Sequence, residues 1–195
     1  MNIREINKND IPGISVLHKK IFDKSYFSVH YPLKLLNKYF ESLLSANKYN
    51  YIVEDDNNEP IGFVIGGYRT QSAVDDFMKK NSRGVLFCMI KYPKFIFIGI
   101  GKLIRKFYSK KIKSKAELRL FLIGVNPETN KKGAGSLLIS AFEGALIKDN
   151  IDLYGLYVRR DNPNAIRFYE RKGFVYEFGK HNLICYTKTI EKFAE

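Results

Sequence analysis

Two short stretches in the C-terminal half bring together residue types that could do chemistry. The first is Lys132-Gly133-Ala134-Gly135-Ser136, preceded by Asn130 and Lys131 and set where an apolar segment ending in Ile123-Gly124-Val125 gives way to a helical pattern. A helix start exposes backbone N–H groups and the positive end of the macrodipole, and glycines let a pyrophosphate approach that backbone closely. Lys131 and Lys132 add charge of the matching sign. A lone GxG could equally be a sharp turn and nothing more. Its spacing is neither GxGxxG nor GxxxxGK[ST], because no Lys-Ser/Thr follows the second glycine, so a nicotinamide cofactor or ATP fits it poorly.

The second stretch runs from Asn162 to Phe174. Asn162, Ala165 and Tyr169 fall near one stripe of a helix and can face one ligand. The Asn162 amide can donate and accept, and the Tyr169 phenol can give up a proton. Taken alone, Tyr169 would as readily be an amphipathic core residue.

The elements that must position these groups follow from periodicity. A strand over 117–125, a loop over 126–132 and a helix repeating at Leu137/Leu138, Ala141/Phe142 and Ala145/Leu146 form a β-turn-α unit. A strand over 152–158, a helix over 164–172 stopped by Gly173, and a hairpin of 175–179 with 183–189 around His181-Asn182 complete this half. The N-terminal half opens with a strand over 3–6 and a helix capped by Asn9 or Asp10 that tolerates Pro12. An aromatic loop over 26–31, a second helix from Pro32, and a hairpin of 49–53 with 61–65 follow. Residues 72–80 and 85–108 predict an irregular helical insert broken at Pro93 and at Gly99/Gly101. Hairpins mixed with βα units imply an α/β fold with a mixed sheet.

A chain of 195 residues with 45% hydrophobic content can bury the core of one domain, so 1–195 reads as one unit carrying an insert at about 71–115. The net charge of +13 draws in polyanions or multiply phosphorylated small molecules. Cys88 and Cys185 form no CxxC pair, which points to reduced, buried thiols in a cytoplasmic protein. The N-terminus lacks the apolar core of a signal peptide, and the apolar run 95–100 is far shorter than the ~20 residues of a spanning helix. No His/Cys/Asp grouping has metal-ligand spacing.

Together, Val125-x-Pro127, Lys132-Gly133-x-Gly135 and Asn162-x-x-Ala165-x-x-x-Tyr169-x-x-x-Gly173-Phe174 resemble the GNAT family of N-acetyltransferases. The resemblance covers the chain apart from the insert. It implies a mixed, mostly antiparallel sheet of about seven strands flanked by helices, with acetyl-CoA as donor cosubstrate and no metal. Ile123, Gly124 and Val125 would pair with the pantetheine arm as an added strand does. The turn from Asn130 through Lys131, Lys132, Gly133, Ala134 and Gly135 to Ser136 would hold the pyrophosphate. Asn162, with Ala165 and Phe168, would bind the pantetheine side, and Tyr169 would protonate the departing thiolate. The family mechanism is direct attack by a neutral amine without a covalent enzyme intermediate, in keeping with the absence of a recognisable Ser/His/Asp or Cys/His signature. Two departures stand out. Asn130 replaces the usual Gln or Arg, and Tyr157 stands where ribosomal-protein N-terminal acetyltransferases carry a Glu base.

Two residues are candidates for the base. Period-two alternation puts Glu117, Arg119, Phe121 and Ile123 on one side unless a bulge intervenes, although Glu117 could be a surface residue paired with Arg119, and a water chain could replace any base. His30 is the second, because an imidazole nitrogen can accept an amine proton. Phe27, His30 and Tyr31 either contact the acceptor or form a packed aromatic corner.

From Phe77 to Ala116 there is no acidic residue, and Lys91, Lys94, Lys102, Arg105, Lys106, Lys110, Lys111, Lys113 and Lys115 gather there among Phe95, Phe97, Phe107 and Tyr108. Such a stretch could lie on an anionic membrane, bind RNA or attract a phosphorylated acceptor, or simply be a solvated face over the sheet. The leading expectation is acetylation of a primary amine on a small molecule, an amino sugar ahead of a polyamine or peptide amine. A nucleic-acid-binding module leaves the glycine turn and Asn162/Tyr169 unexplained, and a non-catalytic acyl-CoA sensor is the third reading. Monomer and homodimer are both open.

Overall fold

The computed structural model describes residues 1–96, 113–129 and 131–190. Asn130 and, in the insert, Phe97, Lys102, Arg105, Lys106, Phe107, Tyr108, Lys110 and Lys111 lie outside the described residues. A seven-stranded mixed sheet forms the middle layer, with strand order β1-β2-β3-β4-β5-β7-β6. The strands are β1 (Asn2–Glu5), β2 (Tyr49–Glu54), β3 (Pro60–Gly67), β4 (Arg119–Val125), β5 (Leu153–Arg159), β6 (Val175–Lys180) and β7 (Leu183–Thr189). The β4–β5 pair is parallel and the other pairs are antiparallel.

Alternating side chains build a core on each face of the sheet. On one face Val53, Val64, Leu120 and Leu156 pack against α5 (Ala134–Lys148) and α6 (Pro163–Arg171). On the other, Ile52, Phe63 and Ile65 meet α1 (Ile11–Ile21), α2 (Leu33–Ala46), α3 (Thr70–Lys80) and α4 (Ser82–Lys91). Among the described residues no helix is long and apolar enough to cross a membrane. Cys88 and Cys185 are both buried free thiols.

Asp10 occupies the N-cap position of α1, one of the two residues the sequence offers, but its side chain makes no capping bond to that helix. It closes instead a box with Asn7: Asn7 Oδ1 accepts from Asn9 N at 2.8 Å, and Asp10 Oδ2 accepts from Asn7 N at 2.7 Å. This reciprocal box closes a 3-10 turn over Lys8–Asp10 and feeds directly into α1. Arg4 clamps the same corner, donating to Asp10 at 2.7 Å and to Glu54 at 2.5 Å, and it holds the Asp10 carboxyl below its ordinary range. Where described, the insert forms α3 and α4 and, after an interruption at Tyr92-Pro93, turns helical again over 94–96, so the break expected at Pro93 is present, while Gly99 and Gly101 lie outside the described residues.

Candidate functional site

The strand leading to the glycine turn starts at Arg119, two residues later than the sequence suggested, and it carries a bulge. Leu120 lies opposite Gly66 and Leu122 opposite Ile65, so Phe121 has no partner across β3. The extra residue reverses the alternation. Leu118 and Leu120 face the α5 core, Phe121 and Leu122 both turn to the α1–α4 core, and Ile123 and Val125 return to the α5 side. Glu117 and Ile123 therefore do not share a face. A bulge bends its strand and sharpens the local twist. At this point β4 and β5 part: their pairing is confined to Arg119↔Gly155 and Leu120↔Leu156.

Beyond that parting, residues 122–125 of β4 remain paired with β3 alone, and residues 157–159 of β5 with β7 alone. The two facing edges form a wedge lined by main-chain N–H and C=O groups, the kind of edge that an extended amide-bearing chain can join. Ile123 and Val125 anchor one wall in the core. Gly124 lies under α1, where a Cβ would come within 2.5 Å of Ile21 Cγ2, so the close approach of helix and strand requires glycine there.

The wedge leads towards the start of α5. Gly133 occupies the N-cap position with φ 94° and ψ −10°, a left-handed conformation that glycine adopts without strain. Among the described residues no side chain caps this helix, and the first bond that closes it runs from Leu137 N to Gly133 O at 2.9 Å. By helix geometry the N–H groups of Ala134, Gly135 and Ser136 have no acceptor within the helix. A Cβ on Gly133 would meet nothing within 4 Å, so the approach is clear. Ala134 is buried, Lys132 is exposed, and Lys131 is already ion-paired with Asp56 of the β2–β3 turn, a carboxylate that also meets the N-terminal ammonium at 3.1 Å.

The start of α6 is built in the opposite way. Asn162 is its N-cap, with Oδ1 accepting from Ala165 N at 3.1 Å, which leaves the Nδ2 donor of the amide for other use. Phe168 reaches back to the glycine turn, its Cζ 3.4 Å from where a Cβ on Gly135 would lie. Tyr169 is 8% exposed, packed between Phe168 and Phe174 with ring centroids 5.4 Å from each. Its hydroxyl makes no hydrogen bond to a described residue. Burial first, and the nearby Tyr26 phenol second, push its pKa above the ordinary tyrosine value. Tyr169 thus stays protonated, as a proton donor must.

The residues expected on the acceptor side are placed less favourably. Glu117 is exposed and lies outside β4, about 13 Å along the chain from Phe121 at the strand repeat. Tyr31 is only 3% exposed; it packs on Phe27, Tyr39 and Phe77, and its hydroxyl meets Met78 sulfur at 3.7 Å. It belongs to the core, and the packed-corner alternative describes it. Phe27 stacks on Phe95 at 4.9 Å. His30 donates from Nε2 to Lys24 O at 2.9 Å and stacks on Tyr92 at 4.2 Å.

Sequence reasoning missed that Tyr26 lies near Tyr169, and what surrounds Tyr26. Tyr26 lies close enough to raise the Tyr169 pKa, and Arg159 sits over the Tyr26 ring at 5.2 Å while pairing with Asp161 at 2.5 Å and donating to Ser25. The strand before α6 and the loop after α1 therefore meet beside the Tyr169 phenol. The only sequence trace of this is that Tyr26 heads the aromatic loop.

The chain matches the sequence model of the acetyltransferase (GNAT) family over residues 17–174. Among solved structures it is similar to the ribosomal-protein-S18-alanine N-acetyltransferase of Escherichia coli, with 16% identity and a TM-score of 0.59, covering 100% of this chain and 96% of that one. It is also similar to the PaiA N-acetyltransferase of Thermoplasma acidophilum, solved in complex with coenzyme A, with 16% identity and a TM-score of 0.58 over 96% of this chain and 98% of that one. A third likeness is to Naa20 of Chaetomium thermophilum, solved with a bisubstrate analogue, with 16% identity and a TM-score of 0.54 over 97% of this chain and 87% of that one. At these identities the structural likeness speaks to the fold. No curated protein sequence matches the chain.

Proposed function

Because the chain belongs to the GNAT acetyltransferase family, we propose that it transfers acetyl from acetyl-CoA directly to a primary amine of a small molecule, with amino sugars the first acceptors to try. Residues 1–195 act as one domain in this reading. The observation that carries it is the β4–β5 wedge directed at a helix start with no side-chain cap. Main-chain groups left free on both parts suit a ligand that joins an amide-bearing arm to a diphosphate.

Acetyl-CoA supplies a thioester whose carbonyl carbon is open to a neutral amine and whose sulfur leaves with the bonding pair. Residues 123–125 orient the arm, and the N–H groups at 131–136 hold the diphosphate. Asn162 offers Nδ2, with Ala165 and Phe168 forming the apolar wall beside it. Tyr169 gives its phenolic proton to the departing sulfur, and desolvation keeps that proton in place until it is needed. Orientation of amine against thioester provides much of the rate, and the proton transfer adds ~10²–10⁴-fold. Glu117 is too far from the wedge to serve well as base, so a water relay is the better reading.

Isothermal calorimetry with acetyl-CoA, followed by thiol release on a panel of amino sugars, polyamines and peptide amines, tests the proposal. Heat of binding and release with at least one small amine are expected. Absence of binding would sink the donor assignment. Binding with no release on any amine would favour a non-catalytic acyl-CoA sensor.

A further inference from the structure

We propose that the outer face of α4 is a docking surface for an anionic lipid bilayer, an inference that does not depend on the acetyltransferase reading. The helix buries Val85 and Cys88 against α2 and α3, and it turns Leu86, Phe87 and Ile90 outward at 57%, 65% and 66% exposure. These three residues form one stripe at helical spacing. Large apolar side chains gathered in this way on an otherwise strongly charged protein mark an interaction surface.

The surroundings specify the partner. Beside the stripe, Leu35 and Phe87 floor a shallow groove of about 440 Å³ whose walls include Lys34, Lys38, Lys80 and Arg83. On the other side, Met78, Leu86 and Met89 line a second, apolar hollow that also reaches Arg83. No carboxylate lines either one. Those four cations have no ion-pair partner among the described residues. Lys91 and Lys94 continue the positive border, and the nearest preceding acid, Asp76, lies one turn behind Lys80 on α3.

A bilayer of anionic lipid satisfies both halves of this surface: apolar tips enter the acyl boundary while lysines and arginine meet the headgroups. RNA would use the cations, but it has no place for the aliphatic Leu86 and Ile90. A second copy of the chain would set two positively charged faces against each other. The end of α4 leads straight to the loop after α1, where Tyr92 and Phe95 stack on His30 and Phe27. A docked α4 therefore brings that loop to the lipid surface.

Sedimentation of the full chain with vesicles provides the test. Binding is expected to vesicles of phosphatidylcholine mixed with phosphatidylglycerol and not to phosphatidylcholine alone, and it should weaken steeply with salt. The double variant Phe87→Glu/Ile90→Glu should lower binding by about tenfold or more with an unchanged melting temperature, since both side chains are largely exposed. The pair Lys80→Gln/Arg83→Gln should weaken binding and flatten its salt dependence. Equal binding to uncharged vesicles, or undiminished binding by the glutamate variant, overturns the proposal. So does a dimer that the same glutamates dissolve, or RNA binding that they abolish in the absence of any vesicle binding.

Discussion

The donor region and the loop after α1 handle polar groups in opposite ways. Along the β4–β5 wedge and at the first turn of α5, main-chain groups are left without partners among the described residues, and Gly133 keeps the space before them open. Around the loop, side chains are already engaged: His30 with Lys24 O, His18 with Ser28, and Arg159 with Asp161 and Ser25. A region of unsatisfied backbone suits a ligand whose chemistry is constant, because any sequence that keeps the turn keeps the donors. A region of engaged side chains is instead tuned residue by residue.

Tyr169 joins the two regions and should give the largest effect. Tyr169→Phe removes the proton donor and little else, so kcat should fall by about 10²-fold or more while acetyl-CoA affinity, read by calorimetry, changes little. Because burial raises this phenol above its ordinary value of 10.0, any alkaline limb that it sets lies above pH 10. Equal loss of kcat and donor affinity would place Tyr169 among the binding residues instead.

His18 probes the loop side through stability. It is fully buried against Phe22, Phe40 and Phe63, its Nδ1 has no partner among the described residues, and burial lowers its pKa from 6.5 to about 4. The unfolded chain therefore binds a proton between those values that the folded chain refuses. Stability is full above pH 6.5 and is lost as pH falls towards 4, by about 3 kcal/mol in total. Urea titrations at pH 7, 5.5 and 4.5 should show this slope in the wild type and a flatter one in His18→Gln. An identical slope in the variant would assign the acid sensitivity elsewhere.

The same contrast explains which parts of the molecule were legible in the sequence. Gly133 marks the donor turn because its left-handed φ of 94° favours glycine, while Gly135 sits in ordinary contact with Phe168, whose Cζ would lie 3.4 Å from a Cβ there. The bulge at Phe121 leaves no such mark, since Phe121 and Leu122 are both apolar and an alternating pattern reads through them unchanged; the misplacement of Glu117 follows directly. The insertion of β7 between β5 and β6 depends on pairing between distant strands, which local pattern does not encode. Likewise, the contact of Ser25 with Arg159 spans 134 residues of chain. Asp10 is legible as the N-cap position of α1, whereas the short turn capped by Asn7 before it carries no apolar periodicity to mark it.

Asn162 offers the finest test of the contrast, because it belongs to both regimes: its Oδ1 is spent on the α6 cap and its Nδ2 is available to a ligand. Asn162→Ala loses both functions, whereas Asn162→Ser keeps a side-chain oxygen for the cap and loses the donor. Stability should drop by about 1 kcal/mol in the alanine variant and recover in the serine variant, as read from urea midpoints. Acetyl-CoA affinity should fall in both by about threefold to tenfold, the worth of one hydrogen bond. If affinity instead tracks stability and recovers with serine, the residue acts on the donor only by fixing the start of α6. The amide would then count among the satisfied groups, and donor binding on this side of the wedge would rest on Ala165 and Phe168.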